Sequence, residues 1–297
     1  MIRIVTDSNS QLPSALAQRW DIEVAPLTVV IDGKEYHEPD LDPDEFFDLL
    51  ARKPRPEVST AAPSPGEMTE IYRRLADQGA DEIVSVHLGS EMSATVQSAR
   101  LAAEMLAADV VDAKGSVAKA GAPRVHVVDT HAASFIVGCA AWEAAEAVAG
   151  GATAAEAAAL ATRVAESASS VFIVGALDLA RAGGRFGESL AGESRSPEPT
   201  EPVPVLALQR GQMEVIGHAA DAAAAVEVMA ARVLQAGSGL RVALTVADPE
   251  SEVLWKGLEQ ALEGRPEVQE LLHYRAGPSV AVHTGAGTAG AVFYRRP

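Results

Sequence analysis

The stretch from Glu82 to Ala107 leaves the fewest options for the fold. Glu82-Ile83-Val84-Ser85-Val86-His87-Leu88 alternates and carries β-branched residues, so it reads as a strand, and Gln97 to Ala107 reads as an Ala-rich amphipathic helix. Between them lies a polar loop that includes Ser90, Ser93 and Thr95. A strand followed by a short polar loop and a helix is the repeating unit of a parallel α/β sheet. In such sheets the strand ends and helix starts face the ligand crevice, where free N–H groups favour an anion. Ser93 and Thr95 would add side-chain donors to that crevice. The same spacing also suits Ser90 or Ser93 as a plain helix cap, so both readings stay open.

The pattern recurs on either side. Ile2 to Val5 is a strand ending on Thr6-Asp7-Ser8-Asn9-Ser10, followed by Pro13 and a helix to about Trp20. Ile22 to Ile31 reads as extended, with Asp32-Gly33 turning into Lys34-Glu35-Tyr36, and Asp42 with Pro43 opens a helix to about Leu50. Lys53 to Ala62, carrying Ser59 and Thr60, reads as a loop. Ser64-Pro65-Gly66-Glu67 and Thr153-Ala154-Ala155-Glu156 have the spacing of capping boxes for helices reaching about Gln78 and Ser169. Val110 to Pro123 reads as a surface loop, Val125 to Val128 as a strand, and Ala132 to Ala149 as a long apolar helix. This alternation predicts an N-terminal domain, residues 1–165, with a mostly parallel sheet covered by helices.

From about residue 166 the signals change. Val203 to Leu208 and Met213 to His218 flank Arg210-Gly211-Gln212 as a hairpin, and strands are expected at Val171 to Val174, Arg241 to Val246, Val268 to Tyr274, Ser279 to His283 and Ala291 to Tyr294. Helices are expected at Leu177 to Arg181, at Asp221 to Ala236 and after Asp248-Pro249, and Ser189 to Pro202 is a Ser/Glu/Pro-rich segment. Residues 166–297 thus read as an α+β domain on a largely antiparallel sheet. Ligand clefts concentrate where two such domains meet.

Charge narrows the function classes. The 297 residues hold 24 Lys and Arg against 41 Asp and Glu, a net charge of −17, which repels nucleic-acid phosphates and leaves at most transient contact with an anionic membrane. The single cysteine, Cys139, excludes an internal disulfide and a multi-cysteine zinc site. Met1 leads straight into the first strand pattern without a secretory leader, and no apolar run reaches transmembrane length, so a cytoplasmic protein is expected. The histidines are scattered and no His-Glu-x-x-His occurs, so neither metal nor cofactor is expected; phosphate-cradling glycine motifs are absent too.

The late segment His283-Thr284-Gly285-Ala286-Gly287 places an imidazole and a hydroxyl at what reads as a strand end. Taken alone, His283 is an ordinary partly buried hydrogen-bonding residue and Thr60 an ordinary turn hydroxyl. A serine hydrolase is the enzymatic alternative: a lipid esterase or thioesterase with Ser93 as nucleophile, His283 as base and Asp7 or Asp129 as orienter. Ser93 lacks the Gly-x-Ser-x-Gly elbow that exposes such a nucleophile.

Several motifs, taken in order, carry a resemblance. Thr6-Asp7-Ser8, Val58-Ser59-Thr60 with Pro63 to Glu67, Ser90 to Ser98, Val128-Asp129-Thr130 with Ser134 and Gly138, Gly183-Gly184-Arg185, and His283 to Gly287 resemble the successive signatures of the DegV family, over essentially the whole chain. The resemblance implies a two-domain, non-catalytic protein that buries one long-chain fatty acid and presents its carboxylate to a separate, ATP-dependent fatty acid kinase catalytic subunit. The product is an acyl phosphate for phospholipid synthesis. It further implies that Thr60 and Ser93 bond the carboxylate, that His283 and Thr284 are their polar neighbours, and that Arg185 lies near the head group, with Thr95 beside Ser93. This chain departs from the family pattern at Ala94, usually glycine, at Ala286, usually proline, and over Phe186 to Pro202, where a leucine-rich helix and a Lys-Pro-Ile-Leu strand are usual.

Overall fold

The computed structural model describes residues 1–109, 122–186, 190 and 202–297. The loop expected over Val110 to Pro123 and the polar segment over Ser189 to Pro202 lie almost wholly outside the described residues. Thirteen strands and ten helices among the described residues form three sheets with their covering layers.

The chain enters through β1 (Ile2–Asp7), α1 (Ser14–Arg19) and β2 (Ile22–Ala25). An antiparallel ribbon of β3 (Thr28–Ile31) and β4 (Lys34–His37) follows, then α2 (Pro43–Ala51), β5 (Val58–Ala61), α3 (Pro65–Asp77) and β6 (Glu82–His87). After α4 (Thr95–Asp109) and β7 (Arg124–Asp129) come two long helices, α5 (Phe135–Ala149) and α6 (Ala154–Ser167). Strands β2, β1, β6 and β7 make a four-stranded parallel sheet in that order. Both capping boxes form: Ser64 and Glu67 at α3, Thr153 and Glu156 at α6.

Ile22 to Ile31 is not one extended segment. It divides at Pro26-Leu27, so that β2 joins the parallel sheet while β3 pairs with β4 and β5 in a separate three-stranded antiparallel sheet. Nor is Lys53 to Ala62 all loop: Val58 to Ala61 form β5, with Thr60 opposite Val29.

The second half contains β8 (Ser169–Ile173), α7 (Leu177–Ala182), the hairpin β9 (Val203–Gln209) and β10 (Gln212–Ala219), α8 (Ala222–Leu234), β11 (Leu240–Val246), α9 (Glu252–Leu262), β12 (Val268–Arg275), α10 (Pro278–Thr284) and β13 (Ala289–Arg295). Its six-stranded sheet runs β10-β9-β8-β13-β11-β12, antiparallel except for β11 with β12. The architecture is therefore α/β, with an N-terminal parallel sheet and a C-terminal, mostly antiparallel one.

The expected strand over Ser279 to His283 is instead helix α10. Its Val-Ala-Val alternation suits a strand, but tertiary partners decide. Pro278 supplies the fixed φ of a first helical residue, Ala281 and Val282 pack beside Phe46, Phe47 and Leu50 of α2, and Gly285 at φ +77° ends the helix.

Helix α5 lies between the two large sheets. Its buried residues share one apolar cluster with Ile4, Val84 and Val86 of the parallel sheet and with Ala243, Tyr274 and Val292 of the mixed one. Across this layer Arg241, 2% exposed, pairs with Glu143 of α5 at 2.5 Å and with Glu270 of β12 at 2.7 Å, and stacks over Trp142 at 3.8 Å. Losing either carboxylate would leave a buried guanidinium short of a partner, so the cluster keys the two halves in one register.

Candidate functional site: a cavity between the sheets

A cavity of about 380 Å³ opens between the two halves. One face comes from the mixed sheet, with Val171, Phe172, Leu208 and Ala291; Phe186, Met92 and Met213 extend the apolar wall. Polar groups gather where β5, the loop after β6 and the end of α10 approach one another.

Of the residues singled out from the sequence, Thr60, Ser93, Arg185, His283 and Thr284 all line this cavity. Thr60 Oγ1 lies 3.2 Å from His283 Nε2, a bond between side chains 223 positions apart in sequence. Ser93 Oγ is 2.8 Å from Thr95 Oγ1 and accepts from Thr95 N–H at 3.3 Å. It thus bonds the start of α4 and also lines the cavity. Thr95 is fully buried behind it and is absent from the cavity wall. Thr284 Oγ1 donates back to Val280 O at 3.1 Å, and Arg185, exposed, donates to Gly183 O at 2.5 Å.

His283 is the electrostatic centre of the polar end. Burial, reinforced by the Arg185 charge, pushes its imidazole down to about 4, so the ring is neutral near pH 7. Its Nδ1 is buried without a hydrogen-bond partner among the described residues, and the backbone of Gly183 closes over that edge: a Cβ at Gly183 would come within 2.5 Å of Nδ1. Only Nε2, already at Thr60, is left to face a ligand.

The geometry does not support the hydrolase alternative. Asp7 serves His87, not His283: Asp7 Oδ2 lies 3.0 Å from His87 Nδ1 and accepts Leu88 N–H at 3.0 Å. Asp129 Oδ1 accepts the backbone N–H groups of Ser90 and His131. Among the described residues no carboxylate pairs with His283 and no bond joins it to Ser93, so no charge-stabilised base is in place. Asp129, His131 and Glu91 do bring three potential ligand atoms within 4.8 Å of one another, but they are tied to one another and to the loop backbone at the protein surface.

Sequence reasoning missed part of the wall. Asn9, Ser134, Tyr274 and Ser279 also line the cavity and form a seam: Asn9 Nδ2 donates to Ser279 Oγ, Asn9 Oδ1 accepts Ser134 N–H, and Ser134 Oγ meets Tyr274 OH. The capping-type run after β1 hinted at Asn9; nothing local announces Tyr274, whose hydroxyl also accepts from Thr245 at 2.7 Å.

Comparison with known proteins places this architecture. A family model described as "Uncharacterised protein, DegV family" matches residues 1–296. A DegV domain-containing protein of Streptomyces coelicolor is 32% identical over 298 residues, covering 99% of each chain. The chain belongs to the DegV family. Among solved structures, a DegV family protein from Thermus thermophilus described as fatty acid binding superposes with a TM-score of 0.85 at 29% identity, covering 99% of both chains. A Thermotoga maritima protein at 23% identity shares the fold, with a TM-score of 0.81 over 99% of each chain.

Proposed function

We propose that this protein is a non-catalytic carrier that holds one long-chain fatty acid in the cavity between its two halves. It presents the carboxylate to a separate kinase catalytic subunit, which forms an acyl phosphate for phospholipid synthesis. In this reading residues 1–165 form the head-group domain and residues 166–297 complete the cleft, with α10 of the second domain reaching over to the first. The carboxylate lies among Thr60, Ser93, His283 and Thr284, with Arg185 and Thr95 in the vicinity. The carrier works in the cytoplasm, where the kinase finds its ATP.

One observation carries the proposal: an apolar cavity of about 380 Å³ ends at hydroxyl and imidazole groups drawn from three separate parts of the chain. That volume falls within the range of roughly 300–1,000 Å³ usual for ligand pockets. Burying an acyl chain gains about 0.8 kcal/mol per methylene, so some fifteen methylenes supply on the order of 12 kcal/mol before the costs of ordering. The carboxylate adds little net affinity, because its desolvation offsets its bonds, but those bonds fix where it points. A fatty acid bound by the Thermus relative is in keeping with this reading.

Native mass spectrometry of the purified protein, followed by solvent extraction, tests it. A one-to-one fatty-acid adduct is expected. A ligand-free protein that also ignores added palmitate and oleate would sink the proposal, and hydrolysis of p-nitrophenyl or acyl-CoA esters that disappears in Ser93→Ala would replace the carrier with an esterase. For the kinase step, adding a fatty acid kinase catalytic subunit and ATP to the loaded protein should consume ATP in proportion to the fatty acid present.

A further inference from the structure

Helix α10 brings His283 to the cavity, yet its seven residues are too few to hold a position unaided. What fixes it is a buried polar cluster one helical turn away from the histidine. Glu38, 5% exposed, follows β4 and directs Oε1 to the backbone N–H of Ser279 at 2.8 Å. The same oxygen accepts from Gln11 Nε2 at 3.3 Å, while Oε2 accepts from Ser8 Oγ. Ser8 Oγ in turn takes Leu27 N–H at 2.9 Å, and Gln11 Oε1 takes Gly277 N–H. Among the described residues no basic side chain pairs with Glu38, and burial raises its pKa against these hydrogen bonds. A buried acid without a counter-charge is costly, and here three donors, Ser8 Oγ, Gln11 Nε2 and Ser279 N–H, offset that cost.

From the geometry we infer that Glu38 is a positioning residue for His283. Strands β4 and β5 belong to one small sheet. From the β4 side Glu38 grips the first turn of α10, and from the β5 side Thr60 meets its last turn through His283 Nε2. The two attachment points, Ser279 and His283, are four residues apart and therefore stacked on one helix face. With both in place α10 can neither slide nor roll against the sheet, and the imidazole stays aimed at the cavity. Gly277 is part of the device: a Cβ there would lie 2.8 Å from Gln11 Oε1 and 2.9 Å from Glu38 Oε1, so a larger residue would push these two side-chain ends away from the start of the helix. The inference rests on the carrier reading only where ligand affinity is concerned.

The test compares Glu38→Gln, which keeps an acceptor for Ser279 N–H, with Glu38→Ala, which removes it. The first readout is the nitrogen spectrum of the His283 ring in the ligand-free chain, assigned by its disappearance in His283→Gln. The second is palmitate affinity. Glu38→Gln should leave the ring signals in place, and Glu38→Ala should shift them toward those of a solvated histidine and weaken palmitate binding on the order of tenfold, the scale of one lost charge-assisted bond. If Glu38→Ala does not fold by near-ultraviolet circular dichroism, Glu38→Asp takes its place, keeping a carboxylate but withdrawing it from Ser279. A folded Ala or Asp variant with wild-type ring signals would overturn the inference, as would equal damage from Gln and Ala. Ring signals that respond as expected in a chain that ignores palmitate would sink the carrier reading alone and leave Glu38 as the anchor of the histidine.

Discussion

Two histidines sit in hydroxyl-rich surroundings in this protein, and their fates differ. His87, at the end of β6, is fully buried: Nδ1 meets Asp7 Oδ2 at 3.0 Å, Nε2 meets Ser85 Oγ at 2.7 Å, and Ser85 Oγ meets Tyr72 OH at 2.8 Å. Among the described residues His283 has one hydrogen-bond partner, Thr60, and it lines a cavity. Acid, imidazole and hydroxyl in a row are the components of a catalytic triad, yet in the first case all three groups are fully buried. The second lines a cavity and lacks the acid. Residue types alone therefore do not mark the site; what marks it is a hydrogen-bonding group left facing space that a ligand can fill.

Breaking the sealed cluster should produce the largest effect. Asp7→Ala leaves His87 Nδ1 and Leu88 N–H without their acceptor in the centre of the parallel sheet. Leaving a buried donor without its acceptor costs about 1–3 kcal/mol, so these two should cost on the order of 2–6 kcal/mol together, and urea denaturation should show a loss of that size. A loss under about 1 kcal/mol, the scale of an exposed pair, would mean that the cluster tolerates water and that the contrast with His283 is one of degree.

The open histidine should reveal itself through pH. Its folded value of about 4 lies below the ordinary 6.5 because burial, and then Arg185, disfavour the charged ring. A proton is thus bound more tightly by the unfolded chain. Stability from this residue is complete above pH 6.5 and falls as pH drops from there through about 4. A shift of this size amounts to roughly 3 kcal/mol over the full window. His283→Gln should flatten that part of the stability profile, as measured by denaturant midpoints at successive pH values. An unchanged slope would show that the ring is protonated in place or escapes to solvent. A bound carboxylate should act the other way, favouring the charged ring and raising its pKa.

The same contrast explains what could be read ahead of the structure. The long elements were legible because their signals are local: Ser64 with Glu67 and Thr153 with Glu156 form their capping boxes, and the Glu82 to Leu88 run forms β6 through His87. Two of the short elements were not. Four-residue β5 exists because β3 offers it an edge, and seven-residue α10 is helical because α2 and Glu38 hold it, despite a strand-like alternation. Thr60, Ser93, Arg185, His283 and Thr284 were identified through the family's ordered motifs, and they share one cavity wall. Asn9, Ser134 and Ser279 were not assigned to the site, although Ser134 stands in one of the family motifs, because the bonds that set them there link Asn9 to partners 125 and 270 positions away, a relation no local pattern carries.

The smallest expected effects concern the proposed head-group donors, and they discriminate best between holding a ligand and aiming it. Thr60→Val keeps the shape of a β5 residue and removes the hydroxyl that meets His283; Ser93→Ala removes the oxygen shared with Thr95. Neither leaves a buried ion unpaired, so each should change folding stability by no more than about 1 kcal/mol. Palmitate affinity should fall only about threefold to tenfold in either, one hydrogen bond's worth, because the acyl chain supplies most of the binding energy. The rate of kinase-dependent phosphorylation should fall further than affinity does, since a carboxylate that wanders within the cavity spends less time in line for phosphoryl transfer. Thr60 and His283 are in contact, so the double variant should lose less than the sum of its parts. Titrating the wild type, the Thr60, Ser93 and His283 single variants and the Thr60/His283 double variant with palmitate and timing ATP consumption at saturation measures both quantities. Variants that lose affinity and rate in equal proportion would show that the hydroxyls hold the fatty acid as much as they aim it.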